Sequence, residues 1–128
     1  MEEIHKIASD NPEVVVIKKS IMEKHTTAIS ALCLTPEINP PVWYAKMMQG
    51  EVGHIHMDVD GSAHVTLSLA DAREVIEKGW GERQAFTGNV LPWGYTMIYA
   101  PRNRDEVEVL GKIFRAGIAF VSGGKDVR

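Results

Sequence analysis

The stretch Glu51-Val52-Gly53-His54-Ile55-His56-Met57-Asp58-Val59-Asp60-Gly61-Ser62-Ala63-His64-Val65-Thr66-Leu67-Ser68 reads as two short strands joined by a tight turn. Apolar and polar residues alternate on both sides of Val59-Asp60-Gly61, the pattern of a half-buried ribbon. Three of the chain's five histidines fall in this segment. Successive strand side chains take opposite faces, so His54 and His56 point the same way, together with Asp58. The turn decides where His64 points. A two-residue Asp60-Gly61 turn sets His56 opposite Val65 and sends His64 to the side of Ile55 and Met57. A three-residue loop Val59-Asp60-Gly61 places Gly61 where a left-handed residue is needed. It sets Ile55 opposite Val65 and Gly53 opposite Leu67 on an apolar side. His56 then faces His64, and His54 faces Thr66, on a polar side. Burial of one face fixes register, so the second arrangement is expected.

Outward from the hairpin, the chain alternates elements without a regular β-α rhythm. Residues 1–10 suit a short helix with Ile4, Ile7 and Ala8 on one side, stopped by Asn11-Pro12. Glu13-Val14-Val15-Val16-Ile17 is a β-branched run, residues 20–24 a turn, and residues 26–34 a strand. Residues 35–50 hold three of the six prolines and read as a structured connection. Ser68, with Asp71 three residues on, opens a helix over residues 69–78 whose stripe is Leu69, Ala72, Val75 and Ile76. Residues 79–93 carry Gly79, Gly81, Gly88 and Pro92, the chemistry of a loop. Residues 94–100 alternate as a strand. Asn103 and Glu106 then open a last, long helix ended by Gly123-Gly124, with a frayed polar tail expected at Lys125–Arg128. The expected class is α+β: a mainly antiparallel sheet of about five strands, helices packed on one face, and a long C-terminal helix. The other face stays open for a site.

A chain of 128 residues, 45% hydrophobic and 24% charged, suits one domain spanning residues 1–128. The single cysteine, Cys33, excludes an intrachain disulfide and a cysteine-based zinc ribbon. A net charge of −3 with scattered basic residues speaks against a nucleic-acid partner. No apolar run approaches the roughly 20 residues of a membrane span. The acidic start Met1-Glu2-Glu3 lacks a signal-peptide layout, so a cytoplasmic location is expected. Composition leaves the oligomeric state open.

The hairpin carries the chemistry. Opposed strand positions stand about 5 Å apart and alternate positions about 7 Å, so the three imidazoles can meet at a point. That suits a facial site for zinc, iron or manganese with open positions. It equally suits a metal-free cluster in which one imidazole takes a proton. A solvated ladder of structural histidines is the plain reading, and spacing alone leaves all three open. In Gly79-Trp80-Gly81-Glu82-Arg83-Gln84 the glycines permit close approach of a ligand. Arg83 has the planar fork to clamp an enolate, carboxylate or phosphate, with Glu82 orienting it. Trp80 either ends the buried stripe of the preceding helix or lines a ligand site. Tyr99 and Arg102, where the last strand ends, either line a pocket or pack at the start of the last helix. There is no phosphate loop, dinucleotide fingerprint, nucleophile elbow or HExxH.

Glu51-Val52-Gly53-His54-Ile55-His56, Gly61-Ser62-Ala63-His64-Val65, Ala70-Asp71-Ala72-Arg73-Glu74-Val75-Ile76-Glu77-Lys78-Gly79-Trp80-Gly81-Glu82-Arg83 and Tyr99-Ala100-Pro101-Arg102-Asn103 together resemble the fungal luciferase family. The resemblance runs over about residues 51–124, with several motifs in order at matching spacing. It implies an oxygenase chemistry: the family's fungal enzyme oxidises 3-hydroxyhispidin, a styryl-pyrone, with molecular oxygen through a peroxidic intermediate that loses carbon dioxide. It carries His54, His56 and His64 onto the family's histidines, and Trp80, Glu82 and Arg83 onto its Gly-Trp-Gly-x-Arg segment. Gln84 stands where family members often have histidine, and falls among the substrate-contacting positions. The resemblance therefore implies molecular oxygen as co-substrate, a small-molecule partner and catalytic work for His54, His56, His64 and Arg83. Trp80, Glu82, Gln84, Tyr99 and Arg102 would contact the substrate. A non-catalytic domain binding a small molecule or a protein on the same scaffold is the other expectation, and Gln84 speaks for it.

Overall fold

The structure is a computed structural model and describes residues 2–22, 29–57, 59–84, 87 and 91–128. In chain order its elements are α1 (Glu2–Asp10), β1 (Val15–Lys19), β2 (Ser30–Leu34), α2 (Val42–Met48), β3 (Glu51–Ile55), β4 (Ala63–Thr66), α3 (Leu69–Glu77), β5 (Gly81–Arg83), β6 (Tyr95–Ile98) and α4 (Arg104–Val121). The strands form one antiparallel sheet in the order β1-β2-β3-β4-β6-β5. The class is α+β with a long C-terminal helix, as expected, but among the described residues the sheet has six strands rather than about five. The additional one is β5, inside the passage whose glycines suggested a loop. Three residues are too few to show a period, and pairing with β6 is what holds them extended. The connection over residues 35–50 contains a further helix, α2. Residues 26–28 of the expected second strand, His25 and Asp58 lie outside the described residues.

Both expected helix starts are capped by their side chains. Ser68 Oγ accepts from the Asp71 amide at 3.1 Å, and Asn103 Oδ1 accepts from the Glu106 amide at 3.0 Å. The apolar face of α4 (Leu110, Ile113, Phe114, Ile118 and Val121) is buried against β3 and β4. Burial of that face is the main hydrophobic contribution holding helix to sheet. Gly53 lets the helix come this close: a Cβ there would lie 2.8 Å from Cε1 of Phe114 and 2.5 Å from the His64 carbonyl oxygen. The helix α1 packs on α4 through buried Ile4 and Ile7, with Glu3 and Arg115 paired at 3.3 Å. The tail is not frayed. Arg128 donates its amide to Asn11 Oδ1 at 2.8 Å, and its carbonyl accepts from Asn11 Nδ2 at 3.1 Å and Arg115 Nε at 3.0 Å. Asn11 is buried; its Nδ2 also donates to the Ile7 carbonyl at 2.8 Å, and the tail supplies the partner of Oδ1.

The hairpin differs from expectation in one respect. Its register is Gly53↔Val65, His54↔His64 and Ile55↔Ala63, two residues from the expected pairing. Gly61 does take the left-handed conformation, with φ 76°. The loop is longer than three residues because the His56 carbonyl accepts from Gly61 and Asp60 Oδ1 accepts from the amide and hydroxyl of Ser62. A shift of two leaves every side chain on its expected face. Gly53 and Val65 look toward α4, and the histidines toward the other side.

Candidate functional site

His54 is fully buried, while His56 and His64 are partly exposed. Their ring centroids stand 4.9 Å (His54–His56), 5.3 Å (His54–His64) and 5.0 Å (His56–His64) apart. One ring nitrogen from each lies within 4.8 Å of those of the other two. The direct opposition of His54 and His64 across β3 and β4 produces this convergence, with His56 completing the triangle at the strand end.

Each imidazole is held from behind. Glu51 Oε2 lies 2.7 Å from His54 Nδ1, both side chains being fully buried. Oε1 of the same carboxylate accepts from Ser20 Oγ at 2.9 Å and from the Ile21 amide at 2.8 Å. His56 Nδ1 lies 3.2 Å from Ser62 Oγ, which itself donates to Asp60 Oδ1 at 2.7 Å. His64 Nε2 lies 3.0 Å from Gln84 Oε1, and the His64 ring stacks on Tyr95 with centroids 5.2 Å apart.

Regular alternation puts Glu51 and His54, three residues apart, on opposite faces. A β-bulge removes the conflict. The pairing with β2 runs Ala31↔His54 and Leu32↔Gly53, then Cys33↔Glu51, so Val52 is the extra residue. The bulge re-aims Glu51 to the histidine side. Gly53 inside the strand is a signal of a bulge or a close backbone approach, but it does not say which residue is inserted, so Glu51 and its partner Ser20 escape a reading by period.

Burial works to raise the pKa of Glu51, but the hydrogen bond and charge of His54, then the bonds from Ser20 and Ile21, hold its carboxyl below the usual carboxylate range. The nearby Cys33 thiol and Tyr44 phenol are neutral at physiological pH. Burial, then the charge of Glu51, pushes the Cys33 thiol up to about 11, and burial drives the Tyr44 phenol up as well. In the turn, Asp60 is held low by its bonds from the hydroxyl and amide of Ser62.

The remaining sequence candidates divide between the faces. Gln84 reaches the cluster. Glu82 pairs with Met97, which pairs with His64, so alternation places it on the histidine side, where it is exposed. Arg83 pairs with Thr96, which pairs with Val65, and alternation places it on the helical side. There it lines a cavity of about 440 Å³ with Arg73, Ile76, Trp93 and Tyr95. Tyr95 therefore borders both this cavity and His64. Trp80, Tyr99 and Arg102 do share a cavity, of about 260 Å³, but Val109, Leu110 and Ile113 of α4 wall it, across the sheet from the histidines. Arg102 is paired there with Glu106 at 2.7 Å. Among the described residues, no helix is long and apolar enough to cross a membrane.

Comparison with known proteins points one way. The sequence profile of the Luciferase domain family matches residues 49–117, which include the hairpin, α3, β5 and β6. The chain is similar to the luciferase of Neonothopanus nambi, 30% identical over 127 residues, and to that of Armillaria gallica, 29% identical over 126 residues. The luciferase of Armillaria mellea is also 29% identical over 126 residues. Each alignment covers 93% of this chain, so similarity extends well into the first fifty residues, beyond the motifs. Each covers 47% of the relative, so the chain spans about half the length of the curated relatives it matches. No solved structure matches it.

Proposed function

Because the chain belongs to the luciferase-domain family, we propose that it is a small oxidoreductase that uses molecular oxygen on an enolisable pyrone or a related small aromatic compound. The observation that carries this reading is the meeting of His54, His56 and His64, with nitrogens within 4.8 Å of one another and a buried carboxylate behind one ring. An imidazole so supported is a general base suited to an acidic enol. In the proposed reaction a cluster imidazole takes the enol proton, and the imidazolium that results lies beside the charge of the enolate. The enolate supplies the electron pair that reduces dioxygen as a carbon–oxygen bond forms. The imidazole then returns its proton to the terminal oxygen, giving an organic hydroperoxide. Three imidazoles and an orienting carboxylate also fit a divalent ion. Were zinc, iron or manganese bound, His54, His56 and His64 would hold it, and it would supply Lewis-acid stabilisation of the enolate oxygen.

One observation favours a second reading, a small-molecule-binding domain without turnover: the group 3.0 Å from His64 Nε2 is the amide oxygen of Gln84, which cannot itself relay a proton. Oxygen uptake by untagged protein on a panel of hydroxypyrones, with metal analysis of the same preparation, separates the two. Uptake lost in His54→Ala, His56→Ala and His64→Ala supports the oxidoreductase. Uptake unchanged by all three substitutions overturns it, and a hydroxypyrone held tightly and recovered unaltered establishes the binding domain.

A further inference from the structure

The carboxylate behind His54 has a consequence for which nitrogen of that ring does chemistry. An ionised carboxylate offers acceptors only. Glu51 Oε2, 2.7 Å from His54 Nδ1, therefore requires a proton on Nδ1. We propose that Glu51 is a positioning residue that fixes the His54 proton on Nδ1 and so makes Nε2 the atom that takes a proton or binds an ion. This rests on the reading of the histidine cluster as the reaction centre and names the device that sets its polarity. The same logic operates once more in the hairpin. Ser62 has a single hydroxyl proton and donates it to Asp60 Oδ1 at 2.7 Å, so toward His56 Nδ1, 3.2 Å away, its oxygen accepts. Both rings of β3 and its turn thus carry their lone pair on Nε2.

Glu51→Gln is an informative change because the rest of the carboxylate's surroundings dictate how the amide must lie. Ser20 Oγ and the Ile21 amide both donate to Oε1, so the carbonyl oxygen of the glutamine takes that place. Its NH₂ group then faces His54 Nδ1. An N–H donor there demands a lone pair on Nδ1, and the proton moves to Nε2. One isosteric substitution inverts the tautomer while leaving size and packing unchanged.

Long-range ¹H–¹⁵N correlation spectra of the ¹⁵N-labelled full chain, recorded in mildly alkaline buffer, read the tautomer of each ring directly. The expected results are His54 protonated on Nδ1 in the wild type, on Nε2 in Glu51→Gln, and unchanged in Ser20→Ala, which keeps the carboxylate. A wild-type His54 protonated on Nε2 overturns the proposal without any variant. So does a Glu51→Gln protein that folds and keeps the wild-type tautomer. Where hydroxypyrone turnover is found, kcat in Glu51→Gln should fall on the order of 10²- to 10⁴-fold with KM little changed. Spectra and turnover are independent: failure of turnover in the wild type strikes the proposed reaction, whereas a wrong tautomer strikes Glu51.

Discussion

Gly53→Ala tests whether the close seat of α4 on the hairpin also sets the spacing of the histidines. An alanine Cβ would fall 2.5 Å from the His64 carbonyl oxygen and 2.8 Å from Phe114 Cε1, with Val65 Cα at 3.3 Å. A side-chain ring can rotate away, but the carbonyl belongs to the neighbouring strand, so β3 and β4 must part by several tenths of an ångström. Overpacking of this kind costs about 3 kcal/mol, the upper end of its usual range, because a backbone atom is involved. The gain from replacing glycine by alanine in a strand offsets about 0.5–1 kcal/mol. The net loss is therefore about 2 kcal/mol, which at a urea slope of about 1.5 kcal/mol per molar lowers the unfolding midpoint by about 1.3 M. Adding Phe114→Leu should recover nothing, since the carbonyl contact remains and a well-filled core position is lost. Because His64 is the residue whose carbonyl must move, the His54–His64 spacing widens, and any hydroxypyrone turnover should fall together with stability. A Gly53→Ala midpoint within about 0.3 M of the wild type would refute the reasoning, for it would mean that strand and helix are not in the contact described.

Three further outcomes follow from the same structure. Glu51 titrates lower folded than its ordinary value of 4.5, so its contribution to stability is present above that pH and is lost as pH falls through the folded value. Urea midpoints of the wild type should fall more steeply than those of Glu51→Gln below about pH 4.5, and parallel curves would contradict the depressed carboxylate behind His54. With its thiol pushed up to about 11, first by burial and then by Glu51, Cys33 is protonated at neutral pH. It should resist thiol reagents in the native protein and react at once in urea, as followed by mass. Asn11→Ala removes the side chain that binds both the Arg128 amide and carbonyl, at 2.8 and 3.1 Å. It should cost about 1–3 kcal/mol by denaturation and release the amide of Arg128 to fast hydrogen exchange.

What the sequence made legible, and what it did not, follows the range of the forces involved. Helix starts at Ser68 and Asn103 are written in residues within three positions of each other, and the caps form as read. The facing of the hairpin is fixed by a pattern that a shift of two does not disturb, so His54, His56 and His64 could be assigned to one side even with their partners misjudged. The register itself depends on how the His56 carbonyl and the Asp60 carboxylate use donors inside the loop, and several loops satisfy the same composition. Strand β5 escapes because its extension is imposed by β6, not by its own residues.

The site shows the same division one level up. Ligand types announce themselves, since three histidines in a short ribbon have few uses, but the groups that orient them do not. Glu51 is three residues from His54 in sequence, a spacing that alternation assigns to opposite faces, and a single inserted residue, Val52, reverses the assignment. Ser20, which holds Glu51 in turn, comes from beyond β1, thirty-one positions away. Arg83 and Gln84 are adjacent in sequence, yet a strand sends neighbours apart: Gln84 to His64, Arg83 to the cavity under α3. Tyr95 shares the histidine face, where its ring stacks on His64 with centroids 5.2 Å apart. A flat enolisable compound that met the histidines would lie against that ring, so the size of residue 95 would govern which compounds are accepted.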